Sequence, residues 1–171
     1  MDVVDAIQQR FSVRKFKSYE LEDSKLDRVM EAARLAPSAR NLQEWRFVVV
    51  RDAALRKKLV PACNNQLFVG QAPVVIVACG DKADHVMRCG QHSAPIDVAI
   101  ALEHMALQAV REGLATCWIG SFFADQVRDL LGIPEHIAIV EVLPLGYPAD
   151  QAGPKKRVSM AEIACYDRWG F

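Results

Sequence analysis

Four short stretches carry side chains whose types and spacing suit chemistry. RFSVR, residues 10 to 14, sets Arg10, Ser12 and Arg14 at alternating positions, and an extended backbone turns alternate side chains to one side. Two guanidiniums flanking a hydroxyl make a clamp for an oxyanion, because each can give two parallel N–H bonds to a phosphate or carboxylate. By itself this spacing more often marks a solvated strand edge. PKKR, residues 154 to 157, offers a second cationic group in which Lys155 and Arg157 alternate; alone, such a run is most often plain surface. LAPSARNLQEWRF, residues 35 to 47, crowds Ser38, Asn41, Gln43 and Trp45 into one turn-sized segment. TCWIGS, residues 116 to 121, brings a strand to its end at Gly120, where a missing Cβ either lets the backbone N–H approach a ligand or simply makes a turn.

Signatures of covalent or metal chemistry are missing. The chain has no GxSxG elbow, glycine-rich phosphate loop, dinucleotide fingerprint or HExxH pair. Its five cysteines, at 63, 79, 89, 117 and 165, are odd in number and form no CxxC, which reads as reduced thiols in apolar surroundings of a cytosolic protein. His85, Cys89 and His92 lack a fourth ligand and the usual zinc spacing. An enzyme built this way borrows its chemistry from a bound cofactor.

The elements that must position these groups follow from periodicity and caps. At 171 residues the chain suits a single domain over residues 1 to 171. Its 21 basic and 21 acidic residues cancel, which argues against nucleic acid and anionic membrane as partners. The acidic, amphipathic start and the shortness of the apolar run 73 to 79 argue for a cytoplasmic protein with neither signal peptide nor membrane span.

Helices are expected over residues 2 to 9, with Val3, Val4 and Ile7 on one face, and over 24 to 35, capped by Ser24 with Asp27 and striped by Leu26, Val29, Met30 and Ala33. Another runs from Asp52 to near Pro61, and a short one from 125 to 131 closes at Gly132. Residues 93 to 112, with Pro95 in the first turn and Gly113 as stop, are apolar on more than one face, as in a central helix buried by several neighbours. Strands are expected at 45 to 50, 73 to 79, 115 to 120 and 137 to 146, and a capping box of Ser159 and Glu162 starts a C-terminal helix. Helices alternating with uniformly apolar strands imply a sheet covered on both faces.

In chain order, RFSVRKF, APSARNLQEWRF, GLATCWIGSF, LPLGYP and the terminal KKR resemble the nitroreductase family of FMN-dependent oxidoreductases over nearly the whole length. The resemblance implies an α+β fold, a three-layer α/β/α sandwich with a mixed, mainly antiparallel sheet and a long central helix. It also implies an intertwined homodimer with two FMN sites at the subunit interface. Arg10, Phe11 and Ser12 with Lys155 and Arg157 would hold the phosphate and ribityl chain, and Arg14 would lie near the pyrimidine edge. Asn65, with Gln66 adjacent, would bond the ring edge. Ile119, Gly120 and Ser121 would line the ring, a backbone N–H near Gly120 donating to N5. Pro37, Ser38, Ala39 and Asn41 would reach the flavin of the other subunit.

The activity so implied is transfer of hydride from NADH or NADPH through FMN to a nitro compound, quinone or similar acceptor in ping-pong fashion. A non-enzymatic FMN store or redox sensor, and a same-fold flavin enzyme of other chemistry such as dehalogenation or flavin destruction, are the alternatives. Three departures stand out. Gln43-Glu44-Trp45 replaces the commoner Gln-Pro-Trp and adds a charge near the turn. Phe68 stands where a cation is frequent, leaving Arg14 alone at N1, and the excursion from Gly80 to His92 is short.

Overall fold

In the computed structural model, which describes residues 1–81 and 84–171, one strand shows how the layers form. β2 (Val74–Gly80) is buried along its whole length, and its side chains alternate between two cores, as the period of a strand requires. Val75, Val77 and Cys79 join Leu59, Ala62, Phe68, Val69 and Val127. Val74, Ile76 and Ala78 join Leu26, Val29, Ala33, Val98, Leu102 and Met105 on the other side. The first group covers the sheet with α3 (Ala53–Ala62), α4 (Phe68–Gln71) and α6 (Ala124–Leu131). The second covers it with α2 (Asp23–Arg34) and α5 (Ser93–Arg111).

The sheet has four strands in the order β1-β2-β4-β3, with β1 at Trp45–Val50, β3 at Ala115–Thr116 and β4 at Ala138–Gly146. Every named pair is antiparallel, and a parallel bridge from Ser12 to Thr116 makes the sheet mixed. The long α5 crosses the sheet with Ala101, Leu102, Met105, Ala106 and Ala109 buried, and Gly113 in the left-handed region (φ 74°) ends it. α1 (Val3–Gln9) and α7 (Met160–Ile163) complete the elements, α7 with the expected box of Ser159 and Glu162.

Two expectations need correction. α2 starts after Glu22, without a side-chain cap from Ser24. The third strand is two residues long rather than six. Cys117 N–H donates to Pro144 O at 3.3 Å, but Pro144 has no N–H to return and the ladder stops there. Pairing resumes only at Ile119, whose N–H and C=O both bond Val142. No described helix is long and apolar enough to cross a membrane.

Candidate functional site

The N-terminal segment takes the alternation expected of it. Val13 is fully buried and Phe11 packs on the core below, while Ser12 and Arg14 are exposed and Arg10 is partly buried. Val13 N–H donates to Thr116 O at 3.1 Å, so the edge of the sheet holds the segment extended. Arg10, Ser12 and Arg14 therefore share the outer side.

Three cations from opposite ends of the chain meet here. Lys155 Nζ donates to Ile7 O at 2.8 Å. Its ammonium is held below the usual lysine range by partial desolvation and by the positive charges of Arg10 and Arg157. Lys155 and Arg157 are exposed, and like charges gathered in this way favour an anion beside them. Glu103 on α5 supplies only part of one, 3.6 Å from Arg10 Nε. Beside them, Arg10, Phe11 and Thr116 line a cavity of about 170 Å³, and Thr116 Oγ1 is buried with no hydrogen-bond partner among the described residues.

A second set of groups gathers at the end of the TCWIGS segment. Asn64 Nδ2 donates to Ser121 Oγ at 3.2 Å, and Gln66 Nε2 to Ser121 O at 3.3 Å. Asn64 and Asn65 both adopt left-handed backbone (φ 53° and 59°), which asparagine tolerates better than most residues. Asn65 N–H donates to Val60 O at 3.0 Å, so its own peptide closes the turn and its side chain stays at the surface. Gly120 and Ser121 are exposed and Ile119 is buried beneath them. Phe68 is a core side chain, which explains why no cation stands there.

The turn at 37 to 43 is built from strained backbone. Arg40, Asn41 and Gln43 all have positive φ (53°, 56° and 52°), an arrangement that persists only where surrounding bonds over-determine it. Those bonds are present. Gln43 N–H donates to Ser38 Oγ at 3.0 Å, Gln43 Nε2 to Asn41 Oδ1 at 3.1 Å, and Ala39 N–H to the buried carboxylate of Asp97. Asn41 and Gln43 are exposed at the rim.

Glu44, the charge expected near the turn, points inward. It is buried, 2% exposed, and its carboxylate accepts the Ser93 hydroxyl at 3.2 and 3.4 Å, while His85 Nδ1 lies 2.9 Å from the same hydroxyl. Ser93 is the first residue of α5, where the positive end of the helix dipole favours a carboxylate. The excursion after β2 folds into a small hairpin closed by the bridge Val86–His92; its Lys82 and Ala83 lie outside the described residues.

Asp97, Asn64, Thr116 and the half-buried Glu141 were not singled out by sequence reasoning. Asp97 had a signal, as an acid between Ile96 and Val98 on an otherwise apolar helix face. Thr116 and Glu141 sit in strand-like runs with nothing to distinguish them.

Comparison with known proteins agrees with this architecture. The profile of the nitroreductase family matches residues 7–71 and 62–147. A putative NADH dehydrogenase/NAD(P)H nitroreductase of Methanothermobacter thermautotrophicus is 33% identical over 159 residues, covering 91% of this chain and 82% of its own. The FMN reductase (NADPH) of Bacillus subtilis is 25% identical over 174 residues, covering 92% of this chain and 70% of its own. A crystal structure of a nitroreductase family protein from Clostridium novyi NT superposes with a TM-score of 0.84 at 32% identity, over 88% of this chain and 87% of that one. The chain belongs to the nitroreductase family.

Proposed function

We propose that this protein is an FMN-dependent oxidoreductase that takes hydride from NADH or NADPH and reduces a nitro compound, quinone or similar acceptor by a ping-pong mechanism. The observation that carries the reading is the convergence of Arg10, Lys155 and Arg157, the Lys155 ammonium being held low by desolvation and then by its two cationic neighbours. A nearly dianionic phosphate is the ligand such a cluster lacks. The donor set fits FMN further: Ser12 on the same side, an unpartnered Thr116 hydroxyl beside the cavity, and surface groups of Asn65, Gly120 and Ser121. The names of the relatives, a putative NADH dehydrogenase/NAD(P)H nitroreductase and an FMN reductase (NADPH), support the same chemistry.

FMN, when bound, supplies the two-electron transfer between nicotinamide and acceptor. The chain does the rest. Arg10, Ser12, Lys155 and Arg157 hold the phosphate end. Arg14, whose guanidinium has no hydrogen bond or ion pair among the described residues, would hold the pyrimidine edge and offset negative charge there. Asn65 and the Gly120 N–H orient the ring, Gln66 and Ser121 hold that loop, and Ile119 backs it. The turn of Pro37, Ser38, Ala39 and Asn41 serves the site of a second copy. Apolar Val3, Val4, Ile7, Val158, Met160 and Trp169, all exposed in the single chain, suit burial in such a homodimer.

Purified protein should be yellow and should lose the oxidised-flavin absorbance when mixed with NADH or NADPH without oxygen. A colourless protein that takes up no added FMN would overturn the cofactor. Bound FMN left oxidised by both nucleotides would favour a store or sensor.

A further inference from the structure

Glu141 is the one acidic residue of β4, and it stands against Gly120. A Cβ built on Gly120 would lie 3.8 Å from both Glu141 carboxyl oxygens. One of them, Oε1, is buried with no hydrogen-bond partner among the described residues. The strand is irregular at this point. Ala78 pairs with Glu141 and Cys79 with Ile139, so the extra residue of a β-bulge falls at Val140, directly before Glu141. Bulges re-aim side chains and recur beside functional sites.

Leaving a carboxylate half-sealed with an unbonded oxygen is costly, and a neutral carboxylic acid there costs less. Burial pushes the Glu141 carboxyl above the usual carboxylate range. The charged and titratable groups around it do not compensate. Cys117, on the neighbouring segment, feels Glu141 together with Arg14 and Arg10. Arg128 of α6 acts on Cys79 of β2, and no cation bonds Glu141 itself among the described residues.

We propose that Glu141 is the proton acceptor coupled to electron uptake at this site, taking a proton from solvent when the flavin beside Gly120 is reduced. The inference rests on the FMN reading above. Bound FMN would take two electrons and one proton from a nicotinamide, which would leave oxidised, so the site would gain one negative charge. That charge disfavours an ionised carboxyl nearby. Glu141 then binds one proton, and the site takes up two electrons and two protons in all. When the acceptor removes the electrons, Glu141 releases its proton again.

The midpoint potential of bound FMN, followed against pH in the parent and in Glu141→Gln, tests this. Between the pKa of Glu141 with oxidised flavin and its higher value with reduced flavin, the parent should fall more steeply by about 30 mV per pH unit, since a tenfold change is 29.6 mV for two electrons. The variant should lack the extra slope, and any titration of the ring itself is common to both. Infrared difference spectra of the parent give a second measurement: a protonated-carboxyl C=O band should grow on reduction and be absent from the variant. Parallel potential–pH lines with FMN bound would overturn the proposal while leaving the cofactor reading intact. If Glu141→Gln does not fold, a parent showing no carboxyl band on reduction overturns it alone. Failure of the parent to bind FMN would instead remove the reading on which it rests.

Discussion

Both carboxylate oxygens of Asp97 take up the single N–H of Ala39, at 3.1 and 3.0 Å. The turn proposed to reach a partner's flavin is thus fastened to the central helix of its own chain. Six residues further along that helix, Glu103 meets Arg10 of the cation cluster. At roughly 100° and 1.5 Å per residue, the two attachments lie about 9 Å apart along the axis and about 120° apart around it. One subunit therefore presents its turn and its clamp to different sides of α5.

Asp97→Ala should cost on the order of 1–3 kcal/mol, since a hydrogen bond to a charged acceptor is lost and three left-handed residues lose an anchor. Denaturant unfolding would measure it. Asp97→Asn, with one amide oxygen still able to accept, should recover part of the loss; equal stability of all three proteins would show that the anchor contributes nothing.

Arg10→Ala and Arg157→Ala should each weaken FMN by on the order of 1.5–3 kcal/mol, the usual worth of a hydrogen bond to a charged group, and leave riboflavin binding unchanged. Fluorescence titration with both ligands separates these outcomes. Equal weakening of both ligands would place the two arginines away from the phosphate.

The cysteines should divide by burial. Cys63 and Cys79 are pushed up to about 12 and about 11 by desolvation, and Cys117 is raised for the same reason. Cys89 and Cys165 are exposed. Iodoacetamide at mildly alkaline pH should modify those two quickly in the native protein and all five only after unfolding, as counted by mass.

The pattern of elements was legible because each carried its own punctuation. β1 is the predicted WRFVVV without change, and Asp52 caps α3 through Leu55 N–H at 2.7 Å. Elements that depended on a distant partner were not legible. The third strand shortened because a proline on β4 withholds an N–H, which the run ATCWIG cannot reveal. At the site, alternation placed Arg10, Ser12 and Arg14 on one side. Their meeting with Lys155 and Arg157 came through family resemblance, since about 140 residues lie between. The burial of Glu44 was not legible for a related reason: its partner, Ser93, is set by the start of α5 rather than by its own neighbours.

Glu141 also gives a stability test without cofactor. Its carboxyl is raised in the folded chain by burial, so between the unfolded and folded values the native state holds more protons. Stability from this group then falls as pH rises through that window. The melting temperature of Glu141→Gln minus that of the parent should grow with pH over the same range, while carboxylates held low by partners, such as Glu22 and Glu112, cancel in the difference. A difference that is flat with pH would show that burial does not perturb the group.

The arrangement of turn and clamp on separate sides of α5 leads to a test by mixing. A clamp-dead variant carries Arg10→Ala with Arg157→Ala. A turn-dead variant carries Ser38→Ala with Asn41→Ala, which removes the acceptors for Gln43 N–H and Nε2 that shape the turn. Each is first shown to be folded, dimeric and inactive. If the turn serves the partner's flavin, one site of the mixed dimer inherits both defects while the other has an intact clamp and an intact turn. Random re-pairing at equal amounts makes half the dimers mixed, so activity should return to about a quarter of the parent level by two-fold symmetry. With clamp and turn in one subunit, every site would carry a defect. No recovery after subunit exchange verified by mass would therefore reject service across the interface.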